Sequence, residues 1–182
     1  MNDLEEIFRR ASEAGARRAR QTTEHCLCVQ IGEQKLYHFI ETKLARIYPI
    51  STSRQPPSGV ENSFGTPTGL HKITDKIGAG APPGMVFVGR QPTGKTWREM
   101  DAVENTKNLI TSRILRLRGL EPGHNAGPGC DSYDRYIYIH GTNHPEKLGT
   151  PASAGCVLLS DAEVIELFDQ VPVGSLVWIE DK

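Results

Sequence analysis

The chain has 182 residues, 37% of them hydrophobic and 24% charged, with a formal net charge of -1. That length suffices for one substantial core, and the absence of net charge excludes the strong basic field by which proteins recruit nucleic acid or an anionic membrane surface. Glycine (18) and proline (12), about 16% of the chain together against a usual ~12%, favour short strands joined by many turns over a helical bundle.

At the start, Leu4, Ile7, Phe8, Ala11 and Ala14 recur at helical spacing, and arginines gather toward the end of the stretch, where they oppose the negative pole of a helix dipole. Residues 1–22 are therefore expected to form an amphipathic helix ahead of a single catalytic domain over 23–182. No uninterrupted apolar core of about 7–15 residues marks a secretory signal there, and Asp3, Glu5, Glu6 and Glu13 argue against a transit peptide. No window approaches the roughly 20 apolar residues of a membrane span, so a cytoplasmic location is the expectation.

From residue 26 the chain reads as strands: "CLCVQI", "KLYHFI", "LARIYPI", then "GMVFVG", "SRILRL", "RYIYIH", "CVLL" and "SLVWIE", each short, rich in β-branched or aromatic residues and bounded by turn formers. The stretches "STSRQPPSGVENSFGTPTGLHKI" and "RQPTGKTWREMDAVENTKNL" read as long polar connections of the kind that build or cover a site. In "SDAEVIELFDQVPVG", Ser160 and Glu163 form a capping box, Val164, Leu167 and Phe168 share a face, and Pro172 stops a short helix. The fold class is mainly β.

Of the four cysteines, Cys26 and Cys28 share one face of a strand and read as small buried side chains. Cys130, Cys156, His140 and His144 lack the paired spacings of a metal site. In "RYIYIH", alternation puts Ile137 and Ile139 on one face and Tyr136, Tyr138 and His140 on the other, so His140 emerges on the more polar side at the strand end, where Gly141 turns the chain. A cysteine attacks a carbonyl as thiolate, and a neighbouring imidazole lowers its pKa; His140 and Cys156 are candidates for that pair. The backbone amides of Gly155 and Cys156, at a tight turn, are suited to hold an oxyanion.

These residues resemble the L,D-transpeptidases of bacterial cell-wall metabolism, the YkuD family. The matching segments are "IHGTN" at 139–143, "LGTPASAGC" at 148–156, the helix start "LSDAEV", the upstream "FGTPTGLHKI" and the closing strand "LVWIE". The resemblance implies an L,D-transpeptidase-like β-sandwich or barrel, with an N-terminal helix and a short helix after the catalytic cysteine. It implies Cys156 as acyl-accepting nucleophile and His140 as its base, oriented by the main-chain carbonyl of Gly141. Gly155 and Cys156 would line the oxyanion hole, and Ser153 would stand beside the nucleophile on the substrate side. No metal or organic cofactor is implied. Two positions depart from the family pattern: Ala154 replaces a histidine, and Leu158 an arginine or asparagine.

The family acts on peptidoglycan stem peptides, at the bond between the L-centre of meso-diaminopimelate and a terminal D-alanine. With no export signal in view, the expected reaction is hydrolysis, an L,D-carboxypeptidase trimming tetrapeptide or muropeptide to tripeptide during wall recycling. Cross-linking transpeptidation and a non-catalytic stem-peptide-binding pseudoenzyme are the alternatives. Neither nucleic acid nor a membrane is an expected partner, and the residues specify no oligomeric state. Because Leu158 cannot hold a carboxylate, Arg116 or Arg118, two apart on one face of "SRILRLRG", is expected to bind the terminal carboxylate.

Overall fold

The computed structural model describes residues 3–18 and 23–182. Helix α1 (Asp3–Arg18) lies inside the expected 1–22; the rest of that span, 1, 2 and 19–22, falls outside the described residues. It is followed by β1 (His25–Gln30), β2 (Lys35–Ile40), β3 (Lys43–Pro49), β4 (Gly69–Ile77), β5 (Met85–Val88), β6 (Gln91–Thr96), β7 (Ile110–Gly119), β8 (Tyr138–Gly141), β9 (Val157–Leu159), α2 (Asp161–Gln170) and β10 (Leu176–Glu180).

The strands form one curled ten-stranded sheet, ordered β3-β2-β1-β10-β4-β7-β5-β6, with β8 branching from β7 and β9 attached to β8. Pairing is antiparallel except for β1 with β10 and β8 with β9. The period-two alternation of strands explains the layering. Leu27 and Val29 of β1 point to the main core with Leu36, Tyr48, Ile73, Leu115, Leu117, Ile139, Val157 and the buried face of α2. Cys26 and Cys28 point the other way, where with Tyr37, Phe39 and Leu176 they receive Ile7 and Ala11 of α1. Strand β1 is thus covered on both faces, and the two cysteines are core side chains as expected. Each fully buried Leu or Ile contributes about 1.5–3 kcal/mol of transfer free energy.

Helix α2 starts at the expected N-cap, with half of the expected capping box: Ser160 Oγ accepts from Glu163 N at 3.3 Å, while the Glu163 carboxylate accepts at 2.6 Å from the Ser160 hydroxyl in place of its backbone N–H. Val164, Leu167 and Phe168 are its buried face.

One strand, β4, begins inside a stretch expected to be a connection, and another, β6, lies wholly inside one. Strand β4 is central, between β10 and β7. A bulge between Ile73 and Asp75 breaks its alternation, and His71, fully buried with its ring nitrogens 3.1 Å from Gly69 O and 2.9 Å from Ser132 Oγ, fills a core position with a polar residue. Strand β6 is an edge strand paired with β5 alone and carries no apolar face, so nothing in its side chains signals a strand.

Candidate active site

Strands β8 and β9 run parallel in the register Ile139↔Val157, His140↔Leu158. Ile139 and Val157 enter the main core, which leaves Tyr138, His140 and the Cys156 end of β9 on the opposite face. There Cys156 packs against a small cluster of Phe87, Ile114 and Tyr138. The expected pair is therefore brought to one face of two adjacent strands. Tyr136 is the exception to the alternation: its φ of 57 puts it in the left-handed region, outside β8 and exposed.

The turn that presents Cys156 is built from the short side chains of "SAGC". Gly155 has φ 124, and a Cβ there would lie 3.3 Å from Ile137 Cδ1 and 3.4 Å from Gly65 O, so both the conformation and the space call for glycine. Ser153 braces the turn: its hydroxyl donates to Cys156 O at 2.6 Å and accepts from Gly155 N at 3.2 Å. The Gly155 amide expected at an oxyanion hole is thus engaged by Ser153 in this geometry.

His140 is buried, with Nδ1 2.7 Å from Gly141 O. A proton on Nδ1 donated to that carbonyl leaves the Nε2 lone pair as the base. Burial pushes the imidazole pKa down to about 4, against the raising effect of the Gly141 carbonyl. Cys156 as a residue is half-buried, yet desolvation pushes its thiol up to about 11, opposed by the Tyr138 N–H and the charge of Arg135. The thiol donates to Tyr136 O at 3.5 Å and accepts from Tyr138 N at 3.4 Å. Both groups are consequently neutral at pH 7 and the thiol is bonded to strand backbone, not to His140. This differs from the thiolate–imidazole pairing expected from the sequence. The reason is burial, which penalises both charged forms before substrate arrives.

Behind His140 lies a hub that the sequence did not single out. Asp161, the first residue of α2, accepts from Trp97 Nε1 at 2.8 Å, Thr111 Oγ1 at 2.7 Å and Ser112 Oγ at 2.5 Å. A Cβ on Gly141 would fall 2.7 Å from Thr111 O and 3.1 Å from Asp161 Oδ1, so the turn after His140 is pressed onto this hub. Asn143 ties the long 97–109 connection to the same turn: its Oδ1 accepts from Leu109 N at 2.9 Å and its Nδ2 donates to Asn105 O and Lys107 O, both at 3.1 Å. Asn143 was legible as part of the "IHGTN" match; the hydrogen bonds that explain it were not.

Arg116 and Arg118 share a face as expected, but that face is a clamp on one ring. Their Cζ atoms lie 3.4 and 4.1 Å from the Tyr133 centroid, and Arg116 Nη2 donates to Tyr133 O at 2.7 Å. Arg116 Cζ also lies 5.1 Å from the Tyr136 centroid, and its buried Nε has no hydrogen-bond partner among the described residues, whereas the cation whose charge reaches the Cys156 thiol is Arg135. Cys130 Sγ donates to Ala126 O at 3.4 Å, and His144 Nδ1 lies 3.0 Å from Glu146 Oε1, so each has its own local partner. Ala154 lines a depression of about 220 Å³ with Glu61, Phe64, Arg135 and Tyr136, and Leu158 is buried with its N–H on Ser51 O at 2.8 Å.

The L,D-transpeptidase catalytic-domain profile of the YkuD family matches residues 24–179. The putative L,D-transpeptidase YqjB of Bacillus subtilis is 47% identical over 49 residues, 26% of this chain and 28% of the relative. The probable L,D-transpeptidase ErfK/SrfK of Salmonella typhimurium is 28% identical over 162 residues, 88% of this chain and 46% of the relative. The chain thus spans less than half the length of these two curated relatives. In fold, an L,D-transpeptidase from Mycobacterium smegmatis gives a TM-score of 0.54 at 17% identity, covering 87% of this chain and 59% of its own. One from Xylanimonas cellulosilytica gives 0.53 at 20% identity, covering 94% and 68%. With the profile covering nearly the whole catalytic domain and the expected cysteine and histidine on one face of β8 and β9, the chain belongs to the YkuD family of L,D-transpeptidase catalytic domains.

Proposed function

We propose that the chain is a cysteine-dependent L,D-carboxypeptidase that removes terminal D-alanine from peptidoglycan tetrapeptides by way of an acyl-enzyme. Cys156 Sγ attacks the carbonyl carbon at the L-centre of meso-diaminopimelate while its proton passes to Nε2 of His140. The tetrahedral adduct collapses, the C–N bond to D-alanine breaks, and the imidazolium returns the proton to the leaving amine. Water then attacks the thioester and gives a proton to His140; the C–S bond breaks and the sulfur recovers that proton. Because the resting groups are neutral, proton transfer accompanies attack, and the Tyr138 N–H that touches Sγ is placed to hold developing charge on the sulfur.

The observation that carries the acyl-enzyme is the placement of Cys156 beside β8 on the face of His140, whose Nδ1 is fixed by Gly141 O at 2.7 Å. The same proposal gives the chain a cytoplasmic role in muropeptide recycling. The names of the relatives favour the second reading, in which an amine of another stem peptide resolves the acyl-enzyme. Incubation with a disaccharide tetrapeptide and excess D-amino acid, followed by mass spectrometry, decides between them. Tripeptide and free D-alanine are expected; dominant exchange or dimer products would establish the transpeptidase, and retained binding without either product a pseudoenzyme.

A further inference from the structure

The side chain of Arg135 is held by neutral acceptors only. Nη1 donates to Ser58 O at 3.0 Å, and Nη2 to Gly65 O at 2.9 Å and Ser63 Oγ at 3.3 Å. Of the five N–H groups of a guanidinium, those on Nε and one on Nη1 stay undonated. Among the described residues no carboxylate forms an ion pair with it, although Glu61 and Asp134 line the same depression as Arg135, Phe64, Tyr136 and Ala154. Partial burial lowers the Arg135 pKa, and the charge of Glu61 is the weakest of the influences that raise it. A half-buried cation is normally paired with an anion, since carbonyl acceptors satisfy its hydrogen bonds without neutralising its charge. The next residue, Tyr136, carries the carbonyl that accepts from the Cys156 thiol at 3.5 Å, which sets this charge in the neighbourhood of the nucleophile.

Ala154, an exposed small residue, lines this depression of about 220 Å³ together with Tyr136. We infer that Arg135 is the carboxylate anchor of this site, binding the terminal carboxylate of the substrate's last amino acid in the depression that Ala154 lines. The inference rests on the stem-peptide reading above and supplies the specificity-determining cation that neither Leu158 nor the Tyr133-bound Arg116 and Arg118 provides. The depression adjoins the turn of the nucleophile, because Phe64 and Ile137 of its lining border Gly155 and the carbonyl of Tyr136, also in its lining, accepts from the Cys156 thiol at 3.5 Å.

The test separates recognition from bracing, because Arg135 also supports the backbone at Ser58 and Gly65. On a Cys156→Ala background, calorimetry compares a tetrapeptide ending in a free D-alanine carboxylate with the same peptide amidated. The free acid should bind about ten- to a hundredfold more tightly, the loss expected for one charge-assisted hydrogen-bonded pair. Adding Arg135→Gln should bring the acid down to the affinity of the amide while leaving the amide unchanged; a bracing residue alone would weaken both alike. Glu61→Gln, which leaves Arg135 in place, should tighten the acid and not the amide, and it decides the matter if Arg135→Gln fails to fold. Equal binding of acid and amide, or an acid preference indifferent to Arg135→Gln or, where that variant does not fold, to Glu61→Gln, overturns the anchor alone. Binding of neither peptide overturns the anchor together with the stem-peptide reading.

Discussion

Removing the carboxylate of Asp161 should destabilise the protein more than any other single polar change near the site. Thr111 and Ser112 are both fully buried, and their hydroxyls donate to Asp161 Oδ1 at 2.7 and 2.5 Å; Trp97 Nε1 donates to Oδ2 at 2.8 Å. Each hydrogen bond to an ionised acceptor is worth about 1.5–3 kcal/mol when the partner is left buried. The two hydroxyls can rotate toward other acceptors, so Asp161→Ala should cost about 3–5 kcal/mol in total. Asp161→Asn keeps one acceptor oxygen for the hydroxyls but aims an N–H at the Trp97 N–H, and should cost about 1.5–3 kcal/mol. Urea unfolding followed by circular dichroism measures both, with the slope m unchanged if the native and denatured states keep their compactness. A loss below about 1 kcal/mol for Asp161→Ala would show that the hub is not what holds β7, α2 and the Trp97 connection together.

The neutral resting pair predicts unusual pH behaviour. Iodoacetamide should alkylate Cys156 slowly at pH 7 and increasingly as pH rises toward the thiol pKa of about 11, while activity should fall on the acid side only as His140 protonates near pH 4. An alkylation midpoint near or below pH 7 would contradict the neutral pair. His71 and His140 both have imidazoles depressed by burial to about 4, so the stability they contribute is complete above pH 6.5 and is lost as pH falls through 4. Each steepens the decline by up to ~1.4 kcal/mol per pH unit in that window, and His71→Gln should flatten the urea-midpoint profile there. Asn143→Ala removes three hydrogen bonds to the 97–109 connection and should raise hydrogen exchange across it, with β1 and β10 unaffected; uniform exchange would refute its anchoring role.

Sequence pattern located the chemistry better than it located the surroundings. Alternation in "RYIYIH" correctly separated Ile137 and Ile139 from Tyr138 and His140, and the capping box fixed the start of α2, because both are local signals. It misjudged Tyr136, whose left-handed backbone ends the alternation two residues before β8. Strand β4 stayed hidden because a bulge and a buried histidine erase its period, and β6 because an edge strand needs no apolar side. A strand pattern shows only that Arg116 and Arg118 share a face; the Tyr133 ring on which that face packs comes from a loop fifteen or more residues away in sequence, beyond the reach of any local pattern. Arg135 stands beside the motif in sequence, but its approach to Cys156 depends on the long-range contacts with Ser58 and Gly65.

The central claim is a covalent intermediate on one sulfur. Enzyme quenched in acid during turnover of a tetrapeptide, then digested and analysed by mass spectrometry, should carry the tripeptide acyl group as a thioester on Cys156, and Cys156→Ala should carry none and release no D-alanine. An adduct on Cys26, Cys28 or Cys130, or undiminished D-alanine release by Cys156→Ala, would contradict it.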